Sequence, residues 1–355
     1  MDRSDCIDYT FYGSGEAFAG IVHSETDIVK RFIKAPFKFY KGLLWQPAAI
    51  RAVCRGGYDA VIFLADPNFA STWIAALLAR SRGVRVLFWG HGWLKDESRF
   101  KSRARLAYFN IANRFLTYSE GAKRRGVSAG YAERKIAVVY NSLDVERATG
   151  VIARIKSGEL TSVVPQNFFG EPERPLIVCT ARLTDKCRFD LLLEAAALLD
   201  EGGPSINVLL VGDGPKRSEL EKRAQKLGIA AHFFGSCYDE EITGQLIYHS
   251  DLTVSPGKIG LTAMHSLMYG TPAITHDNSD EQMPEVEAIE PGETGFFFRQ
   301  NDARSLAKTI AEWLKSDRDR DCVRAACHTV IARKWNPNTQ AQLIERAVLD
   351  VSHRG

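Results

Sequence analysis

Apolar residues recur along the chain in two alternating rhythms. Mostly apolar runs at 60–64 (AVIFL), 84–89 (VRVLFW), 114–118 (RFLTY) and 136–140 (IAVVY) read as strands, and 71–80 and 103–113 read as helices between them. The pattern restarts at 176–180 (LIVCT). Strands at 207–211, 231–234, 252–255 and 273–275 then alternate with helices at 189–199, 216–227, 239–248 and 261–268, and helices at 303–315 and 338–351 close the chain. Strands separated by helix-length segments predict parallel βαβ units, hence an α/β protein of two doubly wound halves facing across a cleft. The boundaries predicted are a first domain over 1–150, a linker over 151–175 that is rich in Gly, Pro and Asn near its end, a second domain over 176–335, and a last helix over 336–355 that crosses back to the first domain. The opening is atypical: a polar segment precedes the first strand-like stretch, 7–12, which runs into Gly13-Ser14-Gly15. The expectation is that a first β-α unit is missing or that the start is internal.

Length supports this division, since 355 residues exceed one ordinary core. The 45% hydrophobic and 25% charged residues are typical of globular proteins. No apolar run approaches the roughly 18 residues of a membrane span, and no secretory leader is visible. Seven scattered cysteines, without a CxxC pair, suit reduced thiols in the cytoplasm better than a disulfide frame or a zinc site. The net charge of +3 hides an asymmetry: residues 1–150 hold 23 lysines and arginines against 14 acids, and the remainder is acidic. Within the basic half, 30–55 interleaves cations with Phe32, Phe37, Phe39, Tyr40 and Trp45. A basic-aromatic helix of that kind can lie on an anionic membrane surface, which makes that surface a candidate partner and the inner face of the plasma membrane a candidate location. The charge accompanies no recognised nucleic-acid module, so no nucleic-acid partner is expected.

The densest candidate chemistry lies between Val254 and Glu285. A short strand ends in Ser255-Pro256-Gly257-Lys258, a helix follows, and Tyr269-Gly270-Thr271-Pro272 ends it. A helix start after a small-residue turn presents free amides and the positive end of the helix dipole, a ready anion site with Lys258 in the same turn. Gly212-Asp213-Gly214 follows another strand, Gly90-His91-Gly92 a third, and Ser119-Glu120 a fourth, all at strand ends where α/β proteins hold ligands. Asp317, Asp319 and Asp321 alternate in a polar run far from these motifs and read as a solvated helix face, so no metal is expected.

In order and spacing these pieces resemble the GT-B glycosyltransferases, specifically the retaining family four of nucleotide-sugar-dependent enzymes. The likeness covers about 58–350. It is carried by Ala181-Arg182-Leu183, Phe189-Asp190, Leu210-Val211-Gly212-Asp213-Gly214-Pro215, Phe234-Gly235, Gly260-Leu261, Gly270-Thr271-Pro272, Pro284-Glu285 and Gly292-Glu293-Thr294-Gly295. Asn141-Ser142-Leu143-Asp144 resembles the family's step before the interdomain link.

The resemblance implies two Rossmann-like domains, a nucleoside diphosphate sugar donor (UDP or GDP) as substrate with no further cofactor, and a saccharide or lipid-linked acceptor in bacterial surface glycan synthesis. It implies donor binding by the second half, acceptor binding by the first, and retention at the anomeric carbon. Arg182 fits the strand-end arginine that grips the diphosphate through its planar fork. The lysine expected five residues later is Cys187, flanked by Lys186 and Arg188. The two glutamates of the family pattern fall on Gly257 and His265. His265 can hydrogen-bond a ribose hydroxyl, and Gly257 can let backbone amides approach the sugar or phosphate. Gly212, Asp213 and Gly214 fall near the base or diphosphate, His91 near the reacting centre, and Ser119 and Glu120 near the acceptor. Glu281 and Glu285 are the nearest carboxylates able to replace what is lost at 265. The alternatives are a degenerate GT-B protein that binds glycan or a partner enzyme, and a sugar-nucleotide epimerase on the same fold.

Overall fold

The computed structural model describes residues 1, 4–15, 29–93 and 99–350, which form two compact units. The expectation about the opening β-α unit falls largely on residues 16–28, outside the described residues.

The first unit comprises Met1–Tyr140 and Asn338–Gly355. β1 (Phe11–Gly13) pairs in parallel with β2 (Phe32–Lys34). β3 (Lys38–Tyr40) and β4 (Leu43–Trp45) form a hairpin whose turn residues Lys41 and Gly42 have φ of 48° and 82°. Positive φ at both turn residues matches the right-handed twist of paired strands. α1 (Pro47–Arg55) starts on a proline, whose missing N–H costs nothing in the first turn. The segment 30–55 is therefore strand, hairpin and short helix rather than one basic-aromatic helix, because Pro36, Gly42 and Pro47 divide it.

Next come β5 (Ala60–Leu64), α2 (Ala70–Ser81), β6 (Arg85–Trp89), α3 (Arg99–Asn110), β7 (Arg114–Thr117), α4 (Glu120–Ser128) and β8 (Ile136–Val138). These strands form a parallel sheet in the order β5-β6-β7-β8. Successive side chains point to opposite faces. Val86, Phe88 and Phe115 pack with Ala75, Ala76, Tyr108 and Phe109, while Leu87 and Leu116 meet Ile344, Ala347 and Val348 of the last helix, Pro337–Asp350.

The second unit, Asn141–Pro337, opens with α5 (Val145–Lys156). Asp144 caps it by accepting from the Arg147 amide at 3.0 Å, and its stripe Ala148, Val151, Ile152 and Ile155 packs on Ile247, Met268 and Tyr269. The first six residues of the expected linker at 151–175 are thus helix, packed against their own unit.

β9 (Leu176–Thr180), α6 (Phe189–Gly202), β10 (Asn207–Val211), α7 (Arg217–Leu227), β11 (Ala231–Gly235), α8 (Glu240–Tyr248), β12 (Leu252–Ser255), α9 (Leu261–Met268), β13 (Ala273–His276) and β14 (Gly295–Phe298) follow. α10 (Ala303–Lys315) and α11 (Arg320–Lys334) close this unit, and the last helix is α12. The sheet is parallel, in the order β11-β10-β9-β12-β13-β14. Its central strands are buried on both faces: Ile177, Val208 and Leu210 lie in one core, and Leu176, Val178 and Leu209 in the other. That burial explains why they read as unbroken apolar runs rather than as alternation.

Candidate functional site

The strand order of the second unit reverses between β9 and β12. Connections leave these two strands in opposite directions, so their carboxyl ends open a crevice where such folds bind ligands. Three loops meet there, after β9, β10 and β12. The first two are laced together: the Ala181 amide donates to Val211 O and the Leu183 amide to Asp213 O, both at 3.0 Å. A Cβ on Gly212 would stand 2.1 Å from Ala181 O, and one on Gly214 would stand 2.4 Å from Leu183 O. Both glycines are thus explained by the approach of the neighbouring loop, without a ligand. Asp213 is exposed, and its carboxylate accepts from the Gly214 amide at 2.7 Å.

The cations divide into two groups. Arg182, Lys186 and Lys258 are exposed and have no side-chain hydrogen-bond or ion-pair partner among the described residues. Arg188 is committed: it bonds both carboxylate oxygens of Asp190 at 3.1–3.2 Å and also bonds Asn301. Lys216 is held by Asp185 at 2.8 Å and Glu219 at 2.7 Å. Arg188, expected to share in the anion grip, thus already has partners within the protein, unlike the first three cations.

Cys187 and Gly257, two of the three departures from the family pattern, touch each other. The Gly257 amide donates to Cys187 O at 3.0 Å, and a Cβ at 257 would stand 1.9 Å from Lys186 O. The turn at Asp185–Cys187 therefore occupies the space that a side chain at 257 needs, and the Gly257 amide is not free for a ligand. The Cys187 thiol donates back to Arg182 O at 3.1 Å.

The loop after β12 is held by Gln282, a residue that sequence reasoning missed. Its Oε1 accepts from the Ile259 amide at 2.8 Å, and its Nε2 donates to Thr275 Oγ1 at 2.8 Å. It stands in a polar loop with no periodicity to mark it. Thr262 on α9 donates to Thr180 O at 3.0 Å, tying the helix to the end of β9. Gly260 precedes the helix without a side-chain cap, and Leu261 begins it on the exposed side.

His265 is engaged within the protein. Its Nε2 lies 3.0 Å from Glu240 Oε1, which also accepts from the Tyr269 hydroxyl at 2.7 Å. Burial alone would raise the Glu240 carboxyl, but hydrogen bonding and charge from His265, with the Tyr269 bond, outweigh it and leave the pKa below its ordinary value. Glu281 accepts from Gln300 at 2.9 Å. Glu285 is buried, and its Oε1 accepts from Asn141 Nδ2 at 2.9 Å.

In the first unit, Gly90-His91-Gly92 follows β6 at the carboxyl end of the sheet. His91 is exposed, with its ring 5.0 Å from that of Tyr118 after β7. Ser119, expected near the acceptor, is buried and caps α4, accepting from the Ala122 amide at 3.1 Å. Glu120 accepts from the Tyr140 hydroxyl at 3.3 Å. A cavity of about 370 Å³ in this unit is lined by Ile7, Tyr9, Phe11, Ile62, Leu64 and Trp89 among others, with no lysine or arginine. It does not suit a diphosphate. Asp319 caps α11 by accepting from the Cys322 amide at 2.8 Å, and no group of three His, Cys, Asp or Glu suited to a metal occurs among the described residues.

Residues 165–328 match the family model described as glycosyl transferases group 1, and residues 9–147 match that of glycosyltransferase family 4. The putative glycosyltransferase EpsD of Bacillus subtilis is 32% identical over 126 residues, which are 34% of this chain and 31% of EpsD. A glycogen synthase of Halorhodospira halophila is 26% identical over 313 residues, 84% of this chain and 59% of the synthase. The chain thus spans less than two thirds of either relative. The crystal structure of Anabaena Alr3699/HepE in complex with UDP superposes with a TM-score of 0.67 at 17% identity, covering 86% of this chain and 82% of HepE. With both halves matched and two parallel-sheet, Rossmann-like units in place, the chain belongs to the GT-B glycosyltransferases of group 1.

Proposed function

We propose that the protein transfers a sugar, with retention, from a nucleoside diphosphate sugar to a hydroxyl of a saccharide or lipid-linked glycan in bacterial surface polysaccharide or lipopolysaccharide synthesis. The observation that carries this reading is the set of uncommitted cations Arg182, Lys186 and Lys258 on the loops at the sheet's reversal point, beside the amino end of α9. A diphosphate leaving group gains negative charge as the glycosidic bond breaks, and fixed cations and helix amides stabilise that charge without a metal. Arg182 takes the bidentate role, and the two lysines act as point charges in place of the lysine absent at 187. The exposed His91, freed by flanking glycines, is assigned to the transferred sugar or its acceptor. The solved complex of HepE with UDP supports uridine diphosphate as the first donor base to test, with GDP second.

Binding measured by calorimetry with UDP, GDP and dTDP is expected to show micromolar to millimolar affinity for one of them. Arg182→Ala is expected to weaken that affinity about tenfold, roughly 1.4 kcal/mol. Absence of both transfer and hydrolysis across a panel of nucleotide sugars counts against the reading. The contact between Cys187 and Gly257 also favours a second reading, a degenerate binder of glycan or of a partner enzyme, which predicts no nucleotide affinity and no effect of Arg182→Ala.

The acceptor side carries two further proposals. The apolar cavity of the first unit suits the lipid part of a lipid-linked acceptor. The β3–β4 hairpin, with Phe39, Tyr40 and Trp45 at 47%, 70% and 40% exposure beside Lys38 and Lys41, is assigned to an anionic membrane surface at the cytoplasmic face.

A further inference from the structure

Glu285 lies in the short turn Pro284–Ala288 after β13 and is 2% exposed. Oε1 is satisfied by Asn141, but Oε2 is buried and has no hydrogen-bond partner among the described residues. An unpaired buried carboxylate oxygen is costly, more so than a neutral polar atom. Oε2 lies 3.9 Å from the point where a Cβ on Gly260 would stand, so it faces the amino end of α9. The Ala263 amide turns back to Gly260 O at 2.9 Å, which leaves the Leu261 and Thr262 amides of the first turn without an intrahelical acceptor, and no side chain caps them.

Donor amides beside a carboxylate oxygen do not suit phosphate, which the carboxylate repels. They suit a hydroxyl, whose oxygen accepts from N–H while its proton goes to the carboxylate. We propose that Glu285 Oε2 and the first turn of α9 form the pocket for one hydroxyl of the transferred sugar, with Asn141 as the residue that positions the carboxylate. This rests on the nucleotide-sugar reading above. It is also compatible with Gly257: the turn at 185–187 fills the space a side chain there needs, and Glu285 brings a carboxylate to the same loop at Gly260.

The test uses the full chain and paired calorimetric titrations with each free nucleotide and its sugar conjugate: UDP with UDP-glucose or UDP-galactose, and GDP with GDP-mannose. For the conjugate that the wild type binds, Glu285→Gln is expected to lower affinity about tenfold while leaving the free nucleotide unchanged. Gln keeps an oxygen for Asn141 but presents N–H to a site already lined by donors. An unchanged conjugate affinity, or an equal loss for conjugate and free nucleotide, overturns the proposal. If the wild type binds no nucleotide at all, the donor reading fails and takes this proposal with it, a result distinct from the other two. A second measurement needs no variant: among donors lacking one sugar hydroxyl, one is expected to bind the wild type about tenfold more weakly. Equal binding of all of them overturns the assignment even if the Gln variant does not fold.

Discussion

At the scale of single residues, one departure from the family pattern, glycine at 257, is explained by the backbone of the turn that carries another, Cys187. Lys186 O sits where a side chain on Gly257 would begin, so a larger residue at 257 must displace backbone rather than a flexible side chain. Gly257→Glu, which restores the family's carboxylate in the sequence, is expected to destabilise the protein by at least about 2–3 kcal/mol through overpacking, read as a lower urea midpoint, and not to raise activity. The Glu240, His265 and Tyr269 cluster predicts a pH dependence. Glu240 has a folded pKa below its ordinary 4.5, so its contribution is complete above that value and is lost as pH falls through the folded value. In Glu240→Gln, the fall of the urea midpoint as pH drops below 4.5 is expected to flatten; an unchanged acid limb excludes the cluster as its source. Lys258 was legible as a site candidate because it stands in the turn between a strand and a helix, and Arg182 and Lys186 were candidates through the family resemblance. Gln282 was not, and although Glu285 was a candidate its pairing with Asn141 was not legible, because nothing periodic connects residues so far apart in the chain.

At the scale of elements, the long apolar runs were legible and the boundary segments were misread. β9, β10 and α9 keep the bounds that their patterns predict, since burial on both faces or a clear helical stripe leaves one solution. α5 was taken as the start of a linker, although Asp144 is a ready cap and 148, 151, 152 and 155 form a helical stripe. Its partners on α8 and α9 make that stripe decisive. The β3–β4 hairpin was read as helix because basic and aromatic residues at mixed spacing fit either period. Its exposed face makes a prediction. Centrifugation with anionic vesicles is expected to retain the wild type, while Tyr40→Ser with Trp45→Ser lowers bound protein about fivefold or more, each buried aromatic contributing roughly 1–2 kcal/mol. Equal retention by neutral and anionic vesicles, or by variant and wild type, excludes the hairpin as a membrane contact.

At the scale of the whole molecule, the first unit is completed by residues from the far end of the chain. Ile344, Ala347 and Val348 of α12 cover Leu87, Leu116 and Val139. Ending the chain at Pro337 is expected to remove roughly 4–8 kcal/mol of burial and to open the sheet of the first unit to limited proteolysis; an unchanged digestion pattern contradicts this. The sequence alone determined the α/β class, the order of motifs and the likeness to GT-B enzymes, because hydrophobic period and turn chemistry are local properties. Only the tertiary structure decided which of the candidate groups remain available. Arg188, His265, Ser119 and the Gly257 amide are spent on neighbours, whereas Arg182, Lys186 and Lys258 are not, and one oxygen of Glu285 is left buried without a partner. Most of those assignments depend on contacts between residues tens of positions apart, as at 187 with 257, 240 with 265 and 141 with 285, which no local pattern encodes.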